Sequence, residues 1–205
     1  MHDAATEAGA GAALCPGVHR LHALAWQPGE FLHEDWWRRL DLGQWRDDYQ
    51  RHPGCRRALD ALIVQRRGFP SAALPGALTE QQLRLLGLEE RLPTLLVALG
   101  LIARRQPDLL LLRSFRRHFA DVLGESGCEQ LAALMPCARG PWASVEPEHA
   151  VDDMRRLGQA WLDASMRTSA VWQAMAIRLS PPEVPPDPLP DGPALPVLFR
   201  LERLL

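Results

Sequence analysis

Between Leu78 and Leu123 the chain carries its densest apolar run, cut by three helix punctuation marks, and such a run folds most readily into short stacked helices. Thr79 followed three residues later by Gln82 is a capping-box pattern. The helix it opens, through Leu83, Leu85 and Leu86, is expected to stop near Gly87. Pro93 suits the first turn of a second helix, where its missing N–H has no intrahelical partner to lose. Leu95, Leu96, Val97, Leu99, Leu101 and Ile102 follow, apolar nearly all round, and Arg104-Arg105 put cations at the negative end of the helix dipole. Pro107 breaks the run. Asp108 is a candidate N-cap for a third helix reaching Leu123. On it Leu111, Leu112, Phe115, Phe119, Val122 and Leu123 recur at three- and four-residue spacing and predict one buried face, with Arg113, Arg116, Arg117 and Asp121 mostly opposite. This block reads as a helical hairpin centred on a buried helix, with basic residues at the rim.

The flanking sequence continues the helical pattern. Residues 1–13 are Ala/Gly-rich and read as a disordered N-terminus. After Cys15-Pro16-Gly17, Val18, Leu21, Leu24, Ala25 and Trp26 form a short apolar segment closed by Pro28-Gly29. Trp36, Trp37, Leu40, Trp45 and Tyr49 sit among Asp and Arg residues; aromatics in such a setting are half-buried core or an anchor for a partner, and core is the preferred reading. Pro53-Gly54 begins a helix with Leu59, Leu62 and Ile63 inward and Arg56, Arg57, Arg66 and Arg67 outward, ended by Gly68-Phe69-Pro70. Ser126 with Glu129 is a second capping-box pattern, opening a helix through Leu131, Leu134 and Met135 that Pro136 stops. Gly140-Pro141-Trp142 reads as a turn that tucks its Trp onto the core. From Pro147 a longer helix presents Val151, Met154, Leu157, Trp161 and Leu162, with Asp152 and Arg156 spaced for an i,i+4 ion pair. Ser169 can cap another, with Val171, Trp172, Met175 and Leu179.

Prolines at 181, 182, 185, 186, 188, 190, 193 and 196 then predict a stiff extended connector in which no helix survives. Val197, Leu198, Leu201, Leu204 and Leu205 beyond it predict a short amphipathic segment that either docks back or reaches a partner. There are no β-branched alternations and no hairpin signals, so the expected fold is all-α. It is a single compact multi-helix domain over residues 14–180, followed by a Pro-rich C-terminal arm over 181–205.

At 205 residues, 47% hydrophobic and 23% charged, the composition is that of a globular chain. A formal charge of −2 offers no general attraction to nucleic acid or an anionic membrane. Every basic residue other than His is Arg, which excludes any Lys-dependent catalytic scheme. Cys15, Cys55, Cys128 and Cys137 lack paired spacing and read as free thiols of a reducing compartment, with Cys128 and Cys137 as small buried residues. The first residues lack a basic start followed by an apolar core, and Leu14 before Cys15 does not suit lipoprotein cleavage. The longest apolar run, Leu95–Ala103, is about nine residues against the roughly 20 of a membrane-spanning helix. The expectation is a cytoplasmic protein.

Few residues carry a chemical pattern. Cys15-x3-His19-x2-His22 has helical spacing for metal ligands, with His33 or a carboxylate as a fourth, but no second paired motif supports a zinc site and ordinary packing or surface roles are preferred. No nucleophile elbow, P-loop or dinucleotide fingerprint occurs, and the acidic residues appear scattered over helix exteriors. The reading is no enzyme, no cofactor and no metal. Interface candidates are Arg104, Arg105, Arg113, Arg116 and Arg117 with Trp36 and Trp45. For the Arg cluster a protein partner ranks ahead of nucleic acid and a plain solvated face ahead of both; a helical regulatory or nucleic-acid-binding protein using the Arg-rich face is the alternative function.

Leu14-Cys15-Pro16 with the Leu21–Trp26 segment, Arg91-Leu92-Pro93 through Leu99-Gly100-Leu101 with Arg104-Arg105, Gly140-Pro141-Trp142 and Ala160-Trp161-Leu162 together resemble, in order, the K-type accessory proteins of bacterial type III secretion systems. These are the SctK family, and the likeness is to its PscK/YscK-type members. It spans roughly residues 14 to 180. The resemblance implies a non-enzymatic adaptor of the sorting platform, at the cytosolic face of the inner membrane beneath the injectisome. Its implied partners are the cytoplasmic domain of the inner-membrane ring protein (SctD-type) and the pod protein (SctQ-type), without cofactor, nucleic acid or membrane insertion.

Overall fold

The apolar run after Pro93 becomes the hub of the molecule. A computed structural model describes residues 15–135, 146–182 and 189–205. Among the described residues there are α-helices and short 3-10 turns and no strand, so the fold is all-α. The expectations for the first 14 residues, Pro136, Cys137, the Gly140-Pro141-Trp142 turn and prolines 185, 186 and 188 lie outside the described residues. The helices are α1 (Pro16–Trp26), α2 (Glu34–Arg39), α3 (Arg46–Arg51), α4 (Pro53–Arg67), α5 (Glu80–Gly87) and α6 (Leu92–Arg104). They continue with α7 (Asp108–Leu111), α8 (Arg113–Leu134), α9 (Ala150–Ser165), α10 (Ala170–Met175) and α11 (Ala194–Leu204).

Helix α6 carries Pro93 in its first turn and is buried at every position from Leu95 to Leu101. Its leucines each contribute roughly 2 kcal/mol of apolar burial. It crosses α9 at backbone contact: a Cβ on Gly100 would overlap the carbonyl of Met154, and one on Gly158 the carbonyl of Leu96. Two glycines facing across this crossing bring the helix axes closer than any side chain permits. Leu85, Leu86, Phe119, Leu131, Trp172, Met175 and Leu198 complete the main core around α6. A second, smaller cluster joins α2, α3 and α4 through Trp37, Leu40, Leu42, Tyr49, Leu59 and Ile63, with the Trp37 and Tyr49 rings edge to face at 5.5 Å.

Several local signals act as the sequence implies, but Asp108 does not cap its helix: Pro107 takes the N-cap position of α7 and no side chain caps it. Thr79 N–H donates to Gln82 Oε1 at 2.9 Å and Gln82 N–H to Thr79 Oγ1 at 3.2 Å, closing the capping box of α5. Ser169 Oγ accepts from Trp172 N–H at the start of α10. Gly68, left-handed at φ 69°, ends α4.

Several expectations need correction. The third helix of the central block is two, because Leu112 takes extended backbone (ψ 122°) between α7 and α8. With the register reset there, Leu111 and Leu112 turn outward, 64% and 41% exposed, while Phe115 and Phe119 stay buried. The Ser126–Glu129 helix is the second half of α8, joined across Gly124 at φ 73°; Glu129 bonds Arg116 instead of closing a capping box. Asp152 pairs with Arg155, and Arg156 with Asp153 at 3.9 Å, so the i,i+4 pair is replaced by two i,i+3 pairs. Arg67 points inward, its guanidinium 5.0 Å from the Phe69 ring centroid and 5.6 Å from that of Trp36, donating to the carbonyl of Gln173.

The C-terminal segment docks back. Helix α11 begins at Ala194, inside the proline-rich stretch, and tolerates Pro196 because the first turn needs no intrahelical N–H there. Trp161 Nε1–H donates to Gly192 O at 3.0 Å, and Ala194 N–H to Ser165 Oγ at 3.0 Å, tying the entry of α11 to α9. Arg84 of α5 lies 4.3 Å over the Phe199 ring and bonds Glu202 at 2.5–2.7 Å, holding the far end.

Candidate protein-interaction surface

The interface candidates separate into distinct places. Arg113 opens α8 directly after the exposed Leu111-Leu112 step, and Arg117 follows one turn later; both are exposed. The Arg113 and Arg105 side chains have no hydrogen bond or ion pair among the described residues, and the Arg117 side chain meets only His118 Nε2, at 3.2 Å. Arg105 itself ends α6 in a left-handed conformation, φ 55°. The result is an exposed apolar step followed directly by the unengaged Arg113 side chain. That is the composition of a contact site, since a Leu pair supplies the desolvated centre and Arg the polar margin.

Arg104 and Arg116 do not belong to it. Arg104 donates through Nε to Gln106 Oε1 at 3.2 Å and lines a cleft of about 670 Å³ against α9. Arg116 is engaged by Glu125 at 2.7 and 2.9 Å and by Glu129 at 3.2 Å, bonds that push its pKa up and cancel its charge toward a partner. The two Trp candidates lie in the smaller-cluster region. Trp36 is half-buried and donates through Nε1 to Leu179 O at 2.9 Å, tying that cluster to the segment after α10. Trp45 is 43% exposed.

The charged interior also departs from the sequence reading, because three carboxylates are drawn inward from helix exteriors. Asp60 on α4 is buried, and burial raises its pKa despite hydrogen bonds from Gly29 N–H at 2.9 Å and Tyr49 O–H at 3.2 Å. Asp163 on α9 is also raised by burial, against the lowering bonds of Trp172 and Gln159; Trp172 Nε1–H donates to Oδ1 at 2.6 Å, while Oδ2 is buried with no hydrogen-bond partner among the described residues. Burial pushes Glu89 up as well, but bonds from Arg20 and Arg178 outweigh it and hold its carboxyl below the ordinary range. Arg178 reaches Glu90 too, at 2.7 Å, so α1, the α5–α6 turn and the segment after α10 meet in one ion-pair network. These groups stitch helices together. Burial of Asp60 was not legible from its sequence surroundings, because its position on α4 falls just beside the apolar stripe of Leu59 and Ile63.

Cys15 and His19 are exposed at the start of α1, and His22 is half-buried on the same helix. Among the described residues no three His, Cys, Asp or Glu side chains group as metal ligands. Cys128 is fully buried in the main core. Among those residues, too, no helix is long and apolar enough to cross a membrane.

Neither a curated protein nor a solved structure matches this chain. A family model described as a type III secretion system subunit does, over residues 19–182, which runs from within α1 through α10 and into the segment that follows it. The chain therefore belongs to that family of type III secretion system subunits.

Proposed function

We propose that this subunit is an SctK-type, non-enzymatic adaptor of the sorting platform. It links the cytoplasmic domain of the inner-membrane ring protein to the pod protein at the cytosolic face of the inner membrane. The observation that carries the reading is the exposed Leu111-Leu112 step with the unengaged Arg113 directly after it, set on a chain of the secretion-subunit family. Leucines at 64% and 41% exposure beside a closed core have no internal purpose, and a protein partner that covers them gains apolar burial. The inward carboxylates support the same reading, since Asp60 and Glu89 are held in interhelix bonds and are not presented to a substrate. The nucleic-acid alternative loses support because Arg116 is neutralised by Glu125 and Glu129.

Titration of the purified protein against the ring protein's cytoplasmic domain and, separately, against the pod protein tests the proposal. Saturable binding to at least one is expected, without nucleic acid. Binding to neither, even with the partners presented as multimers, would remove the adaptor reading.

A further inference from the structure

A second cavity lies between α2, the end of α4 and α10, away from the Leu111-Leu112 step. Its volume is about 500 Å³, and its walls include Trp36, Arg39, Arg66, Arg67, Phe69 and Ser71. Among the described residues no carboxylate lines it. The three cations are held differently. Arg66 caps the carbonyls of Leu40 and Asp41, with the exposed Asp41 carboxylate 3.7 Å away. Arg67 is sandwiched against Phe69 and Trp36, and among the described residues its guanidinium donates only to the backbone carbonyl of Gln173. Arg39 is exposed and has no hydrogen bond or ion pair among the described residues.

A guanidinium drawn out of water without a counter-charge is disfavoured, and burial lowers the Arg67 pKa to about 10 with nothing opposing it. Elsewhere in this molecule partly buried Arg residues are matched: Arg20 and Arg178 by Glu89, and Arg84 by Glu202. Arg67 breaks that pattern, and around it the cavity sets the exposed Arg39 and Arg66, a hydroxyl and two aromatic walls.

We infer that this cavity is a docking site for an acidic segment of a protein partner, whose carboxylate enters between Arg39, Arg66 and Arg67 beside Ser71. Forked guanidinium groups suit a carboxylate because two parallel N–H donors meet its two oxygens. Trp36 and Phe69 give the apolar stem of a Glu side chain a surface to lie on. The inference rests on the assembly reading only in assigning the acidic segment to a secretion partner; the pocket itself is tested without any such component.

Hexaglutamate titrated calorimetrically into the full-length protein at low salt is the probe, with inorganic phosphate as a parallel arm. Saturable one-site binding of hexaglutamate is expected, weakened about tenfold or more in Arg39→Glu, where a single charge is reversed at an exposed position. Arg57→Glu, which makes the same charge change on an exposed, unpaired α4 residue away from the cavity, should leave affinity within about twofold. Arg67→Met risks the fold, so Arg39→Glu is the deciding variant and its unfolding midpoint should match the wild type. Three results would each overturn the inference. They are the absence of hexaglutamate binding, equal weakening by Arg57→Glu, and phosphate binding as tight as the peptide's.

Discussion

Helices α6 and α9 and the α7–α8 step are built from similar apolar residues, yet they use them in opposite ways. At the α6–α9 crossing every side chain from Leu95 to Leu101 is consumed internally, and Gly100 and Gly158 bring the two backbones into contact. At the α7–α8 step the backbone leaves helical geometry at Leu112, and two leucines face outward, followed directly by the unengaged Arg113. The difference shows where the chain is self-sufficient and where it is incomplete. On the proposed function, the apolar surface left at this step is where a partner docks.

The sharpest way to break the comparison is at the closed side. Gly100→Ala places a methyl onto the Met154 carbonyl, and Gly158→Ala onto that of Leu96. Each is expected to cost about 3 kcal/mol, because the obstacle is backbone and not a flexible side-chain end. Urea unfolding of either variant with an unchanged midpoint would mean the crossing is looser than described.

Next in size is the network that ties α1 and the segment after α10 to the α5–α6 turn. Glu89→Gln leaves Arg20 and Arg178 without their shared carboxylate and should destabilise by about 2 kcal/mol at pH 7. The sign follows from the depressed Glu89 pKa. Its contribution is full above the ordinary value of 4.5 and is lost as pH falls through the lower folded value, so wild type and variant should converge in acid. Asp163 runs the other way. Its raised pKa means the charged form is disfavoured in the fold, so its contribution is most favourable below the ordinary 3.8 and is lost as pH rises through the raised value. Asp163→Asn should therefore gain on the wild type between acid and neutral pH; unfolding midpoints measured at several pH values decide it, and parallel curves would refute the placement of Asp163.

Much of the architecture was legible because its signals are local. Thr79–Gln82, Pro93, Ser169 and Gly68 act within one turn of where they stand, so their pattern and their geometry coincide. What escaped was decided by tertiary packing. Spacing alone put Leu111 and Leu112 on the buried face, since a periodic pattern assumes that the helix is unbroken; the extended backbone of Leu112 cancels that assumption. Arg67 reads as outward from α4 periodicity, and it turns in because Trp36 and Phe69 arrive from other parts of the chain. The proline count argued against a helix at 194–196, although the first turn tolerates Pro196. The candidate surface was half legible: Arg105, Arg113 and Arg117 are free or nearly so, whereas Arg104 and Arg116 are engaged within the fold.

On the open side the expected stability effects are the smallest. Leu111→Ser with Leu112→Ser should change unfolding free energy by less than about 0.5 kcal/mol per site, because neither side chain is buried. Arg113→Glu with Arg117→Glu should be similarly silent in stability while weakening a partner contact.

The most direct test sets those two properties side by side. The Leu111→Ser/Leu112→Ser variant and the wild type are titrated against the ring protein's cytoplasmic domain and against the pod protein, with both unfolding midpoints recorded. The account predicts matched midpoints and a loss of about tenfold or more in affinity for one of the two partners. Equal affinities for both partners in a fully folded double variant would contradict it, and the step between α7 and α8 would then be only an exposed turn.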